Sequence, residues 1–232
     1  GGGSGLIAFA DDTSVLATPQ QRLQTDAMQV TRVFTAVCLE VAPQKLIHVP
    51  LLWNRGGGAH DRWMYEEVAP TAEERLHMGG QEVPFVEADV GTRFLGFWID
   101  VMGGNGDQMQ KLEAAIDAFG LRLRRARISK SIAIYLTEAV LIPRVMYPMS
   151  VITFTPAQIS RLESRALSWV LPAVGLTRTF SRNLVGMPVE QGGLGWDRWT
   201  GRVAVVKSQL AMDLASHRSP ATRLIWAALR HR

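Results

Sequence analysis

The sequence predicts an α+β fold, and three observations carry that reading. Short apolar hairpin patterns fill the first hundred residues, one amphipathic stretch is set among them, and helical periodicity takes over from Asp107 onward. Strands followed by helices argue for an antiparallel sheet with a covering helix, then an all-helical region. Gly103-Gly-Asn-Gly106 marks the change as a turn or hinge and lacks the spacing of a dinucleotide cradle. The expected segments are 1–103, 104–175 and 176–232. At 232 residues, 47% apolar and 20% charged, the chain can bury a core and is not of disordered composition. A formal charge of +4 and a pI near 9.6 suit a polyanionic partner.

Leu6–Ala10 and Thr13–Ala17 read as two apolar strands of a tight hairpin with Asp11 and Asp12 as its turn. A plain Asp-Asp turn has the same pattern. The uncharged flanks add something further, because adjacent carboxylates on an apolar support repel unless a cation neutralises them. A hard divalent ion such as Mg²⁺ takes carboxylate oxygens and keeps water for a phosphate, so Asp11 and Asp12 are candidate ligands of a metal-dependent phosphoryl or nucleotidyl transfer site.

Pro19 to about Val41 is the amphipathic helix, apolar at Leu23, Ala27, Val30, Phe34, Val37, Cys38 and Val41. The single cysteine, Cys38, falls on that face, which reads as a buried thiol in a reducing, intracellular compartment. Pro43 stops the helix, and Lys45–Trp53 reads as a strand with Lys45 at its start, where a solvated lysine is ordinary. Asn54–Glu74 reads as an acidic surface loop. Arg75–Val86 reads as a hairpin turning on Gly79 and Gly80, and Arg93–Asp100 as an aromatic strand pair with Gly96 where a side chain would block close backbone approach.

In the helical half, Met109, Leu112, Ile116, Phe119 and Leu123 share one face, and Arg122, Arg124, Arg125, Arg127 and Lys130 gather at the helix end. A helix C-terminus favours cations, yet five in nine positions exceed that need and suit a phosphate-tracking surface. Ser129–Tyr147 is a second helical stretch, apolar at Ile132, Tyr135, Leu136, Ala139, Val140 and Val145 and interrupted by Pro143. Thr155-Pro-Ala-Gln158 is a capping box opening a third helix to about Leu171. A last helix, Trp199–His217, exposes Arg202, Lys207 and Arg218, and Trp169, Trp196, Trp199 and Trp226 read as packing anchors. No run reaches the roughly 18 apolar residues of a membrane span, since Ser131–Met146 carries Glu138, Pro143 and Arg144.

Phe9-Ala-Asp-Asp12 between apolar strands resembles the [Tyr/Phe]-x-Asp-Asp box of reverse transcriptases, most closely the form in non-LTR retrotransposons. Further segments follow in that family's order. Cys38-Leu-Glu-Val-Ala-Pro-Gln-Lys45-Leu is similar to its Gly-Leu-x-Val-Asn-x-x-Lys-[Thr/Ser] segment, keeping the Lys but with Ala42 for Asn and Leu46 for the hydroxyl residue. Phe94-Leu-Gly96 matches the primer grip, Ala139–Tyr147 resembles the x-Val-Leu-x-Pro-x-x-x-Tyr of the thumb, and Leu184–Gly195 resembles the Leu-Pro-x-x-x-Gly-Gly-Leu-Gly stretch after it.

The resemblance implies the C-terminal part of a palm, a helical thumb and a post-thumb extension of an RNA-directed DNA polymerase. It implies Asp11 and Asp12 as Mg²⁺ ligands, Lys45 near a leaving pyrophosphate, Phe94, Leu95 and Gly96 on the primer end, and an RNA template and DNA primer as partners. The family's other essential aspartate and its fingers lie upstream of the box, and no acidic residue precedes Asp11. This chain is therefore expected to be inactive as a polymerase alone and to hold Mg²⁺ weakly or not at all. The alternatives are a non-catalytic nucleic-acid-binding module with the Asp pair idle and a helical interaction protein.

Overall fold

The computed structural model describes residues 4–9, 12–17, 20–39, 42, 45–55, 63–67, 71, 75–78 and 80–216. The fold is α+β and divides into two compact units, Gly1–Gly104 and Asn105–Arg232. The expected division at 175 falls inside the second unit.

In the first unit, β1 (Ser4–Phe9) and β2 (Asp12–Ala17) are antiparallel with Phe9 opposite Asp12. Asp12 is therefore the first residue of a strand and not part of the turn, while Asp11 lies outside the described residues. Helix α1 (Gln20–Ala36) touches this hairpin and β5 (His77–Met78). Its inward residues are Leu23 and Ala27, packed with Leu46, Leu76, Met78 and Val83. The side-chain amide of Gln24 meets the edge of β5 as a strand would, accepting from His77 N at 2.9 Å and donating to His77 O at 2.8 Å.

The second half of the predicted apolar face is not covered by the described residues. Phe34 is half-buried, Val37 is exposed, and so is Cys38, against the buried thiol expected. The reason is where the helix stops. Cys38 takes the left-handed region (φ 59°), and Cys38 N and Leu39 N donate back to Thr35 O and Phe34 O, the bonding of a Schellman terminator.

Lys45 is exposed in a short turn, its N–H donating to Ala42 O, six residues before β3 (Leu51–Arg55) begins. Pro50 removes a ladder donor just ahead of the strand, which delays it. The loop expected over Asn54–Glu74 holds β4 (Trp63–Glu67), paired with β3 so that Trp53 faces Tyr65. Trp63 and Tyr65 are strand-favouring residues whose signal the surrounding charge obscured.

Strand β5 pairs with β6 (Gln81–Glu82) across Gly80 at φ +79°, and β7 (Thr92–Phe94) pairs with β8 (Phe97–Ile99). Every described ladder has two strands. A parallel bridge between His48 and Phe85 ties the Lys45 segment to the residues after β6. His48 is 4% exposed, and burial pulls its imidazole below the ordinary pKa.

The second unit is built on α2 (Gly106–Arg125) and α5 (Pro156–Ala173). The predicted capping box is present: Thr155 Oγ1 accepts from Gln158 N, and Thr155 N donates to Gln158 Oε1. Asn105, the residue just before α2, makes no side-chain cap to its own helix and reaches across to this box instead, exchanging amide hydrogen bonds with Gln158 at 3.0 Å and donating to Thr153 O at 2.7 Å. The two helix starts are thereby joined side by side.

Between them the chain returns through α3 (Lys130–Leu136), a π turn (Thr137–Leu141) and α4 (Ile142–Val151). Pro143 does not interrupt this helix, because the wide turn just before it takes up the missing backbone bond. The turn also shifts the phase. The buried positions are Ala133, Thr137, Leu141, Ile142, Val145, Pro148 and Met149, a stripe recurring every three to four residues, while Ile132, Tyr135 and Val140 of the expected apolar face are exposed. By length and composition Lys130–Val151 passes for a membrane span, and its buried side chains pack in this fold against α5 and α7 (Trp199–Ser216).

Candidate nucleic-acid interface

Contacts along α2 and α5 rise together in sequence. Glu113 meets Arg161 (2.8 Å) and Arg165 (3.4 Å), Asp117 takes the fork of Arg165 at 2.6 and 2.9 Å, and Trp169 Nε1 donates to Asp117 at 3.0 Å. Gly120 then faces the root of Trp169. The helices are therefore parallel, and their C-terminal ends emerge together. The hydrogen-bonding guanidinium of Arg165 holds the Asp117 carboxyl below the usual carboxylate range; burial, the next effect in size, opposes this, and the Trp169 bond and the charge of Arg165 add to the lowering.

That shared end is where the predicted basic cluster lies. Arg122, Arg124, Arg125, Arg127 and Lys130 are all exposed. Lys130 lies over the turn that ends α5: a β-carbon at Gly175 would be 3.0 Å from its Cε. Arg178, three residues further on, is also exposed; sequence spacing missed it because only the helix pairing brings it here.

Magnitudes decide what the cluster is for. Each helix C-terminus carries roughly half a negative charge, so two ends need about one cation. Five cations leave a surplus of about four, and neither 121–130 nor 174–182 contains a carboxylate. Arg127 adds a local cost by holding φ 45° at the end of α2, a position suited to glycine.

The other predicted cations are differently used. Arg202 is ion-paired with Glu138 (3.1 Å) and Asp197 (3.2 Å). Lys207 donates to Ile152 O at 3.1 Å, and burial pulls its ammonium below the ordinary value. Neither is a free solvent cation; Arg218 lies outside the described residues. Trp196 and Trp199 are buried packing residues, stacked with centroids 6.1 Å apart and anchored by Glu163, which accepts from Trp196 Nε1 and Trp199 N. Trp226 lies outside the described residues.

In the first unit, Phe94 closes β7 edge-on to Phe97, centroids 6.4 Å apart. Leu95 (φ 49°) and Gly96 (φ 85°) form the two-residue turn, which demands a left-handed backbone at both positions. Glycine at 96 thus answers to backbone conformation, a different reason from the close approach expected. For Asp12 the backbone pairing alone is described, and among the described residues no three metal-ligating side chains converge. No family model, no curated protein and no solved structure matches the chain.

Proposed function

We propose that this chain holds a nucleic-acid strand on the basic end of its helical unit, as the palm-and-thumb portion of a reverse-transcriptase-type polymerase of the non-LTR kind. The observation that carries the binding is the surplus of exposed cations where α2 and α5 finish side by side. The polymerase ancestry rests on the order of motifs: the Phe9–Asp12 box on a hairpin, the Lys45 segment, Phe94–Gly96 on a second hairpin, then helices. Nothing in the binding requires a metal ion. The arginines neutralise phosphates, releasing counterions from the strand.

The test is fluorescence anisotropy with a labelled single-stranded RNA and an RNA–DNA hybrid across a salt series. Four arginine contacts, each worth about 0.7 on a single strand, give a log–log slope near −3. The triple variant Arg122→Ala, Arg124→Ala, Arg125→Ala is expected to lose about two units of that slope. Absence of binding at low salt, or binding that ignores salt, overturns the proposal. A second reading, a binding module with the Asp pair idle, is favoured by the absence of any carboxylate from 121–130 and 174–182, which leaves the cationic site no ligand for a metal ion. It requires that Mg²⁺ and Asp12→Asn leave affinity for a primed template unchanged, whereas the polymerase reading requires both to alter it.

A further inference from the structure

A cavity of about 70 Å³ lies between α5, the short helix α6 (Arg182–Gly186) and the segment Trp196–Arg198. Its walls include Ser160, Ser164 and Glu163 of α5, Arg182 of α6, Trp196 and Arg198. It has room for about two waters at roughly 30 Å³ each, or for one tetrahedral oxyanion.

The residues around it are unevenly satisfied. Glu163 is 6% exposed, and its Oε1 is committed to Trp196 Nε1 at 2.9 Å and Trp199 N at 3.3 Å. Arg182 is the reverse case: its Nη1 is sealed from solvent and donates to no oxygen. A charged donor withdrawn from water without an acceptor is costly, and a ligand oxygen removes that cost. Ser160 and Ser164, one helical turn apart, and Arg198 are exposed at the rim and supply further donors.

The fold holds this arrangement in place at its glycines. The chain after α6 doubles back, with Gly195 N donating to Met187 O and Trp196 N to Val185 O. A β-carbon at Gly193 would run into the carbonyl of Met187, and Gly192 takes φ 81°. The run Gly192-Gly-Leu-Gly195 thus presses Trp196 and Arg198 back toward α6.

We infer that this cavity seats one phosphodiester group of a nucleic-acid strand. Two guanidinium groups and two hydroxyls surround it, and guanidinium donors match phosphate oxygens. Against the two positive charges stands the Glu163 carboxylate, so the wall carries a net charge of about one, which suits the monoanion of a diester over a phosphomonoester dianion. A polyanion is favoured as the source because the basic end where α5 finishes offers further phosphates its cations. The inference deepens the nucleic-acid reading and rests on it for the source of the diester.

The experiment has two arms, both on the full chain. In the first, dimethyl phosphate is titrated against the indole N–H NMR resonance of Trp196, assigned by its loss in Trp196→Phe. A saturable shift is expected, absent in Arg182→Gln and Arg198→Gln, whose unchanged thermal midpoints establish folding. In the second, oligonucleotide affinity is measured in those variants, where about a 10-fold loss and a salt slope smaller by about 0.7 per lost contact are expected. An unmoved resonance, or one that moves alike in Arg182→Gln, overturns the site while leaving strand binding at the basic end intact. A dimethyl phosphate response without oligonucleotide binding, but with binding to phosphatidylglycerol vesicles, overturns the nucleic-acid source.

Discussion

Replacing Gly120 with alanine tests the seam between α2 and α5, and with it the basic end that the seam creates. Alanine at an interior helix position is ordinarily favoured by about 1 kcal/mol. Here an ideal β-carbon would stand 2.7 Å from Cβ of Trp169 and closer still to Cγ and Cδ2. These atoms are the root of the side chain, so relief requires the ring or the helix to move. Overpacking of this kind costs about 1–3 kcal/mol. Displacing the indole also stretches its 3.0 Å bond to Asp117, a bond to a charged acceptor worth about 1.5–3 kcal/mol. The net expectation is a loss of about 2–4 kcal/mol, read by urea unfolding followed through far-UV circular dichroism as a midpoint lower by about 1–2 M. The same substitution in a Trp169→Ala background meets no obstacle and should stabilise by up to about 1 kcal/mol. The sign reversal is the signature. A neutral or stabilising Gly120→Ala with Trp169 in place refutes the packing argued here. A refuted seam also removes the reason for placing the ends of α2 and α5 together.

Two further outcomes follow from single residues. Arg127→Gly relieves a left-handed backbone that costs an L-residue about 1–2 kcal/mol, less the extra freedom glycine has when unfolded, so the protein should gain about 1 kcal/mol in urea melts. The same variant should lose about 0.7 of the salt slope for single-stranded RNA, separating stability from binding. His48, buried and with its pKa depressed, binds a proton more readily unfolded than folded. Its contribution is fully present above the unfolded value near 6.5 and is lost as pH falls through the folded value. Thermal midpoints should therefore decline from pH 7 toward pH 5.5, and His48→Gln should flatten that dependence.

What the sequence made legible is uneven for physical reasons. Helices α2 and α5 could be read closely, because an apolar stripe of period 3.6 and the Thr155–Gln158 box are local signals. The face buried by α3 and α4 could not, since both faces are apolar and the π turn resets the phase between them. Strand β4 was hidden by its charges, and the exposure of Cys38 follows from a left-handed terminator that no glycine announced. Of the candidate site, the arginines were visible as a cluster, but the doubled helix end beneath them depends on Asn105, Asp117, Gly120 and Trp169. Each of those is an ordinary residue until its partner is known. Asp11 lies outside the described residues, and Asp12 is placed by its backbone alone.

The surplus charge at the end of α2 and α5 sets stability and binding against each other, and salt should expose the conflict. Two parallel helix dipoles repel along their length, and the Glu113–Arg161 and Asp117–Arg165 pairs offset that repulsion. At the end itself, Arg122, Arg124, Arg125, Arg127 and Lys130 repel one another with no carboxylate among them, at about 0.2–0.5 kcal/mol for each close like-charge pair. Added salt shortens the screening length from about 10 Å at 0.1 M to about 3 Å at 1 M. Repulsion between exposed arginines is screened strongly, whereas the Asp117–Arg165 contact at 2.6 Å is shorter than either length and is screened little. Raising salt tenfold should therefore increase the urea midpoint slightly while weakening single-strand affinity by about 10³, from a slope near −3. Stability that falls with salt over this range means that the ion pairs along the seam outweigh the repulsion at its end. In that case the cations are already neutralised within the fold, and the surface argued to hold a phosphate chain has no charge to spare for it.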